Sequence, residues 1–194
     1  MKKLTRQDLY SLEAYARMRA DFRARVMVHK KDRQVPIGPH ARLYFEDRLT
    51  IQYQVQEMLR VERIFEEAGI LDELEAYNPL IPDGGNLKAT FMLEYADIDE
   101  RQQALARMVD IEDRVWLRVA GFEPVWAIAD EDMERERADK TSSVHFLRFE
   151  LTPAMIGAVR QGAGMGMGID HPAYHHTVEA VADNVRRSLA SDLG

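Results

Sequence analysis

One glutamate of the sequence falls in the middle of an apolar helical stripe, where a carboxylate needs a partner. Residues 50–68 contain neither Gly nor Pro and follow a helical spacing. At about 100° per residue, Glu62 shares one face of this helix with Ile51 and Val55. A buried carboxylate must be paired, metal-bound or protonated, because burial of a bare charge costs too much free energy. The pattern predicts either an ion pair, with Arg148 as one candidate, or a metal-binding or acid/base role for Glu62.

A histidine on the apolar face of a predicted strand is the second candidate. Alternation in segment 143–151 places His145 on one face with Leu147 and Phe149, and Arg148 on the other face. A histidine in this position is either a core residue whose hydrogen bonds are satisfied or a ligand of a metal ion. The sequence leaves both interpretations of His145 open.

The third candidate follows a glycine-rich segment, 163–169, which we predict to be a strand. Its alternating glycines are Gly164, Gly166 and Gly168. They strip one strand face of side chains and let a backbone, an aromatic ring or a ligand approach closely. Asp170 and His171 then open the last predicted helix, whose N-terminal N–H groups attract anions. Either Asp170 simply caps this helix, or Asp170 binds a ligand and His171 acts as an acid/base group or metal ligand.

Three arginines are candidates for binding an anionic ligand. Arg48 and Arg60 belong to a stretch dense in polar side chains. This stretch is either a ligand-binding surface or a solvated helix face. Arg148 could hold a substrate carboxylate, because a guanidinium forms two parallel hydrogen bonds to such a group. An enzyme acting on a small anionic substrate would combine these arginines with His171 as general base.

A metal site would use Glu62, His145 and His171 together. Two histidines and a carboxylate suit iron, manganese or zinc. This hypothesis requires a helix, a strand and a turn from distant parts of the chain to converge.

Composition excludes several classes of site and partner. The 194 residues include no Cys, so disulfides, thiolate metal sites and cysteine nucleophiles are excluded. The net charge of −7 argues against a nucleic-acid binder, which needs a basic face. No apolar run approaches the roughly 20 residues of a membrane helix, and the first residues do not resemble a signal peptide. We therefore expect a cytoplasmic protein.

The remaining pattern predicts helices and strands without a regular βαβ rhythm. Helices are predicted over 5–22, 50–68, 71–77, 98–109, 153–161 and 172–189. Strands are predicted over 26–30, 35–37, 41–45, 87–93, 115–119, 125–129, 143–151 and 163–169. Pro36 restricts its strand to a sheet edge, and Gly69 is predicted to end the helix before it. The fold class is α+β: a single compact domain, 1–194, with a mixed or antiparallel sheet packed with helices.

Several blocks spread over the chain match one known pattern. They are Leu4-Thr5-Arg6, Phe45-Glu46-Asp47-Arg48, residues 54–62, Tyr77-Asn78-Pro79-Leu80-Ile81-Pro82, Leu87-Lys88-Ala89-Thr90, residues 143–149 and Gly168-Ile169-Asp170-His171-Pro172-Ala173-Tyr174. On these blocks the chain resembles the bacterial family catalogued as domain of unknown function 3501. The resemblance covers nearly the whole chain.

The resemblance implies a setting for the protein but no mechanism. Members of this family look like companions of a rubrerythrin-type di-iron protein and an iron–sulfur oxidoreductase, which suggests a role near peroxide or redox metabolism. The chain itself does not resemble a rubrerythrin, because the carboxylate–histidine helix motifs and cysteine ligands are missing.

The leading interpretation is therefore an accessory protein of a redox or peroxide-stress system that binds a metal ion or a small anion. One alternative is a non-catalytic protein-interaction partner, in which the same residues form a buried polar network. The other alternative is the enzyme with His171 as acid/base. A rubrerythrin-like protein and an iron–sulfur oxidoreductase are the expected partners, and a homo-oligomer is an open alternative.

Overall fold

The computed structural model describes residues 1–129 and 141–194. The helices within these residues are α1 (Leu12–Lys31), α2 (Arg48–Val61), α3 (Glu67–Tyr77), α4 (Ile98–Arg107), α5 (Pro153–Arg160) and α6 (Asp183–Ala190). The strands are β1 (Gln34–Ile37), β2 (Ala41–Phe45), β3 (Asn86–Leu93), β4 (Val115–Val119), β5 (Val125–Trp126), β6 (Ile128–Ala129), β7 (Val144–Glu150), β8 (Met165–His171) and β9 (Tyr174–Val178). The predicted α+β class is confirmed.

The strands form two antiparallel sheets. The five-stranded sheet has the order β1-β2-β3-β7-β6, and the four-stranded sheet has the order β5-β4-β8-β9. Every pairing in both sheets is antiparallel. Strand β1 lies at an edge, which confirms the position predicted from Pro36, a residue that cannot donate a backbone hydrogen bond.

The main hydrophobic core lies between the two sheets. Side chains alternate between buried and partly exposed along β2, β3 and β7, as expected for strands with one face in the core. Phe91 and Phe149 of the five-stranded sheet share one cluster with Leu117 and Met167 of the four-stranded sheet. Each fully buried side chain of this size stabilises the fold by about 1.5–3 kcal/mol.

Helices α1, α2 and α3 form a layer with separate hydrophobic clusters. Ile51, Val55 and Leu59 of α2 pack with Ile70 and Leu74 of α3. The buried side chains of α1 are Tyr15, Phe22 and Val26. No α-helix in the described part of the chain is long and apolar enough to cross a bilayer.

Helix α1 differs from the prediction at both ends. It begins after Ser11, whose side chain accepts a hydrogen bond from the Ala14 N–H at 3.2 Å. It continues to Lys31, so the strand predicted over 26–30 is wrong. The β-branched Val26 and Val28 favoured a strand locally, but burial of Val26 within the helix layer overrides that preference.

The last predicted helix is wrong in its first half, where the chain forms β9. The Tyr174 hydroxyl donates a hydrogen bond to the Ile37 carbonyl at 2.7 Å. It also accepts hydrogen bonds from the backbone N–H groups of His40 and Ala41, at 2.9 and 3.0 Å. These contacts anchor β9 to the turn between β1 and β2, so a long-range interaction decides the conformation of this segment.

Candidate functional site

Glu62 lies at the C-terminal end of α2, and its side chain is exposed. The predicted burial of this carboxylate is wrong: Glu62 is the C-cap of α2, the buried residues of the helix stop at Leu59, and the chain turns away at Arg63. The predicted ion pair with Arg148 is not formed either. Arg148 lies on β7 in the five-stranded sheet, where its guanidinium pairs with Glu150.

Arg63, rather than Gly69, ends α2 in a left-handed conformation. Its φ is 57°, and the Ile64 N–H donates to the Leu59 carbonyl at 2.9 Å. This is the hydrogen bond of a Schellman cap, a motif in which glycine usually occupies the left-handed position. The turn directs Ile64 into the cluster of Leu59, where it lies against Gly69. Phe65 is then turned outward.

The segment from Val61 to Glu75, called the α2–α3 corner below, exposes three large apolar side chains. Phe65 is 73% exposed, Val61 56% and Leu71 49%. A hydrophobic residue just before a helix N-cap normally packs against the first turn of that helix. Phe65 precedes the N-cap Glu66 but is largely exposed, although Ile70 in the first turn of α3 is buried. The corner thus displays apolar surface that the fold does not use.

The corner is also strongly acidic. Its carboxylates are Glu62, Glu66, Glu67, Asp72, Glu73 and Glu75. Arg63 is the single basic residue in the same segment. Within the residues that the structure describes, none of these carboxylates takes part in an ion pair, so their charge faces solvent.

His145 lies buried between the sheets in a polar cluster with Glu112 and Thr141. The Thr141 hydroxyl donates to Glu112 Oε2 at 3.1 Å and lies 2.9 Å from His145 Nε2. His145 Nδ1 lies 3.6 Å from Glu112 Oε1, and Nε2 lies 3.0 Å from the Ser142 carbonyl oxygen. The Thr141 hydroxyl and the Ser142 carbonyl thus give the buried imidazole polar partners. The geometry matches the interpretation of His145 as a buried residue with satisfied hydrogen bonds.

His171 ends β8 and is engaged at both ring nitrogens. Nε2 donates to the Val109 carbonyl at 3.0 Å, and Nδ1 accepts from the Ala173 N–H at 3.1 Å. This pairing selects the neutral tautomer that carries its proton on Nε2. Asp170 does not cap a helix, because β8 turns directly into β9. Its Oδ1 lies 3.3 Å from His175 Nδ1 on the facing strand of this hairpin.

Gly166 and Gly168 of β8 serve close packing, as the sequence predicted, whereas a Cβ at Gly164 would meet no atom within 4 Å. A Cβ at Gly168 would overlap the indole ring of Trp116, which lies on the neighbouring strand β4. A Cβ at Gly166 would come within 2.9 Å of the backbone oxygen of Glu179. The same sheet row continues through Trp116 to its cross-strand partner Trp126 on β5. An aromatic ring and a backbone therefore make the close approach that glycine permits.

The other predicted anion-binding arginines are also held by carboxylates. Arg48 Nη2 lies 2.5 Å from Asp8 Oδ1, and Arg60 Nη2 lies 3.1 Å from Glu57 Oε2. Glu57 in addition accepts hydrogen bonds from the Arg19 guanidinium, the largest cause of its lowered pKa of about 2. These pairs explain the polar stretch around α2 as contacts within the helix layer.

The structure places two members of the predicted metal set, His145 and His171, against one segment of the chain. His145 and His171 both contact the segment 109–112, through Glu112 and Val109 respectively. Glu62 lies apart, on the α2–α3 corner. Among the described residues there is no group of three or more His, Asp and Glu side chains arranged to hold a metal ion.

A buried charge network that the sequence did not reveal joins the helix layer to α6. The Arg33 guanidinium, 1% exposed, pairs with Asp192 and lies 3.4 Å from Asp47 Oδ2. It donates to the Phe45 carbonyl at 3.1 Å, and His29 Nε2 lies 2.5 Å from the same Asp47 oxygen. This network is called the Arg33 junction below. Its members are too distant in sequence for any local pattern to indicate them.

Comparisons with known proteins place the chain among proteins of unknown function. The family model described as Protein of unknown function (DUF3501) matches residues 3–193. The structure is similar to the crystal structure of a novel protein of unknown function from Burkholderia pseudomallei, with a TM-score of 0.95. That chain is 55% identical to this one, and the alignment covers 100% of each. A search of curated proteins finds no match.

Proposed function

From the premise that the chain belongs to the DUF3501 family, whose function is unknown, we propose that it is a non-catalytic accessory protein that binds a partner protein through the α2–α3 corner. The observation that carries this proposal is the exposure of three large apolar side chains, Phe65, Val61 and Leu71, within one short segment. Exposed apolar clusters rimmed by polar residues are typical of protein-interaction sites. Phenylalanine and other aromatic side chains are enriched in the buried centres of interfaces.

The cap of α2 supports the same conclusion. Arg63 adopts a conformation that costs a non-glycine residue about 1 kcal/mol or more. The fold retains this strain at the turn that points Phe65 into solvent. Strained backbone conformations concentrate at functional sites, because the surrounding structure has to maintain them.

The partner system follows from the family resemblance. We propose that the chain serves a redox or peroxide-stress system, with a rubrerythrin-like di-iron protein or an iron–sulfur oxidoreductase as the bound protein. An accessory protein of this kind needs no cofactor of its own, because the di-iron or iron–sulfur centre of the partner supplies the electron chemistry.

The test is a binding measurement with each of these two proteins by isothermal titration calorimetry. Phe65→Ser is expected to weaken binding at least about tenfold, because a central aromatic anchor is lost. Ile98→Ser is the matched control, since Ile98 is 60% exposed at the start of α4 and also precedes two acidic residues. Equal binding by the two variants and the unmodified protein would exclude the corner as the binding surface.

Binding of a metal ion or a small anion stays a prediction of the sequence. Elemental analysis of the protein, purified without an affinity tag and then loaded with iron, manganese or zinc and dialysed, tests it directly. Near-stoichiometric metal that is lost in His145→Ala or His171→Ala variants that remain folded would favour this function over the accessory role.

A further inference from the structure

We infer that the partner surface recognised by the α2–α3 corner is a basic one: an apolar depression that receives Phe65 and is rimmed by lysines and arginines. This inference rests on the proposed function and adds the chemistry of the partner. It follows from the charge around the exposed apolar side chains. That charge is a separate observation from the exposure of those side chains.

The α2–α3 corner carries a high negative charge. It contains six carboxylates and one arginine, and most of these carboxylates are exposed. Surface carboxylates elsewhere are often paired, as Glu13 is with Arg17, Asp183 with Arg186 and Glu179 with Arg118. In the described part of the chain, those of the corner have no such ion pair. They are therefore available to form ion pairs with basic side chains of another molecule.

The negative charge of the corner disfavours several kinds of partner. Two copies of the chain cannot associate symmetrically through their corners, because a two-fold contact would place the same acidic patch on both sides. Like charges brought together across an interface oppose binding. Nucleic acid and anionic membrane surfaces are disfavoured by the same repulsion. A protein with the opposite charge and an apolar centre is the complementary partner.

The charged and apolar side chains of the corner should affect different rates of binding. Exposed complementary charges chiefly accelerate association, whereas a buried apolar anchor chiefly slows dissociation. The corner places the two features side by side, with Phe65 directly before Glu66 and Glu67. The inference therefore predicts that association depends on salt and on the carboxylates, and that complex lifetime depends on Phe65.

The experiment measures association and dissociation rates by surface plasmon resonance, with immobilised rubrerythrin-like protein and iron–sulfur oxidoreductase as the probes. The double variant Glu66→Gln/Glu67→Gln is compared with Asp99→Asn/Glu100→Gln, an equal charge change in the first turn of α4. At low salt the corner variant is expected to associate about three- to tenfold more slowly, with a nearly unchanged dissociation rate. The α4 variant is expected to match the unmodified protein, and high salt should remove the difference.

The possible failures separate the two proposals. If Phe65→Ser abolishes binding while salt and the corner carboxylates have no effect, the basic partner surface is refuted and the docking role stands. If no variant of the corner alters binding, or neither protein binds, both proposals fail. Sedimentation of the chain alone is the remaining measurement. Self-association that disappears in Glu66→Gln/Glu67→Gln would identify a second copy of the chain as the occupant of the corner, and would overturn the assignment of a separate partner protein.

Discussion

The Arg33 junction and the α2–α3 corner use the same charged residue types in opposite ways. In the junction, Arg33, Asp47 and Asp192 are buried and in mutual contact. In the corner, carboxylates such as Glu66 and Glu67 are exposed and have no ion-pair partner within the described residues. Paired buried charges fix one arrangement of the fold, whereas unpaired exposed charges contribute little to stability. The comparison indicates that the junction serves structure and the corner serves an external partner.

The largest expected effect is the loss of Arg33. Replacing Arg33 by Ala leaves Asp47 and Asp192 buried without their cation, so the free energy of unfolding should fall by about 3–5 kcal/mol. Urea denaturation followed by circular dichroism measures this change. Arg33→Lys keeps the charge but not the planar guanidinium, so its free energy of unfolding should lie between those of Arg33→Ala and the unmodified protein. Arg17→Ala is the control, because its exposed pair with Glu13 should contribute little. Similar results for Arg33→Ala and Arg17→Ala would contradict a structural role of the junction.

The second effect is a pH dependence of opposite sign at the two junction carboxylates. Burial raises the pKa of Asp192 to about 6, and this outweighs the attraction of Arg33. Burial also acts on Asp47, but there Arg33, the Thr50 N–H and His29 outweigh it and hold the pKa below its ordinary value. Protonation thus favours the folded state at Asp192 and opposes it at Asp47.

The measurable consequence lies between about pH 4 and pH 6. The contribution of Asp192 is fully present below its unfolded pKa and is lost as the pH rises through about 6. Relative to Asp192→Asn, the unmodified protein should therefore lose on the order of 2 kcal/mol over this interval. Relative to Asp47→Asn, the unmodified protein should instead lose stability as the pH falls below about 4, where the Asp47 contribution is lost. His29 Nε2 lies 2.5 Å from Asp47 Oδ2, so both series are repeated with His29→Gln. Identical pH profiles for Asp192→Asn and the unmodified protein would refute the raised pKa.

A smaller effect is expected at the cap of α2. Arg63→Gly removes the strain of the left-handed conformation and should stabilise the protein by about 1 kcal/mol in urea denaturation. Arg60→Gly, three residues earlier and still inside α2, is the control and should destabilise it by about 1 kcal/mol. A destabilised Arg63→Gly protein would show that the arginine side chain, rather than the backbone, is what this turn needs.

The smallest effect is expected in the corner itself. Phe65→Ser and Glu66→Gln/Glu67→Gln should change the free energy of unfolding by less than about 0.5 kcal/mol, because exposed side chains make few contacts within the fold. The same denaturation curves measure this. A large loss of stability would mean that the corner supports the fold, and the contrast with the junction would disappear.

Much of the sheet structure was predictable because its signals are local. The alternation around His145, the edge position of Pro36 and the close-packed glycines of β8 each follow from chemistry within a few residues. The satisfied, buried state of His145 was one of two interpretations that the sequence left open, and its partner Glu112 was not identified.

The missed features depend on contacts between distant segments or on an unusual residue in a turn. The Arg33–Asp192 pair joins the start of the chain to its end, so no periodicity could indicate it. The end of α2 was misplaced because Arg63 stands where the Schellman motif normally has glycine. The apolar Leu59 and Ile64, which flank that position, were the signal that could have placed the turn and turned Glu62 outward.

The row that joins Trp126, Trp116 and Gly168 has a spectroscopic consequence. The chain contains two tryptophans, and both lie in this row of the four-stranded sheet. Fluorescence excited selectively at tryptophan therefore reports on that sheet, while the far-ultraviolet circular dichroism signal is dominated by the helices. Melting curves recorded by the two methods will coincide if the helix layer and the sheets unfold as one cooperative unit. If the two melting temperatures differ, the helix layer and the sheet unfold separately, and the difference reflects their coupling.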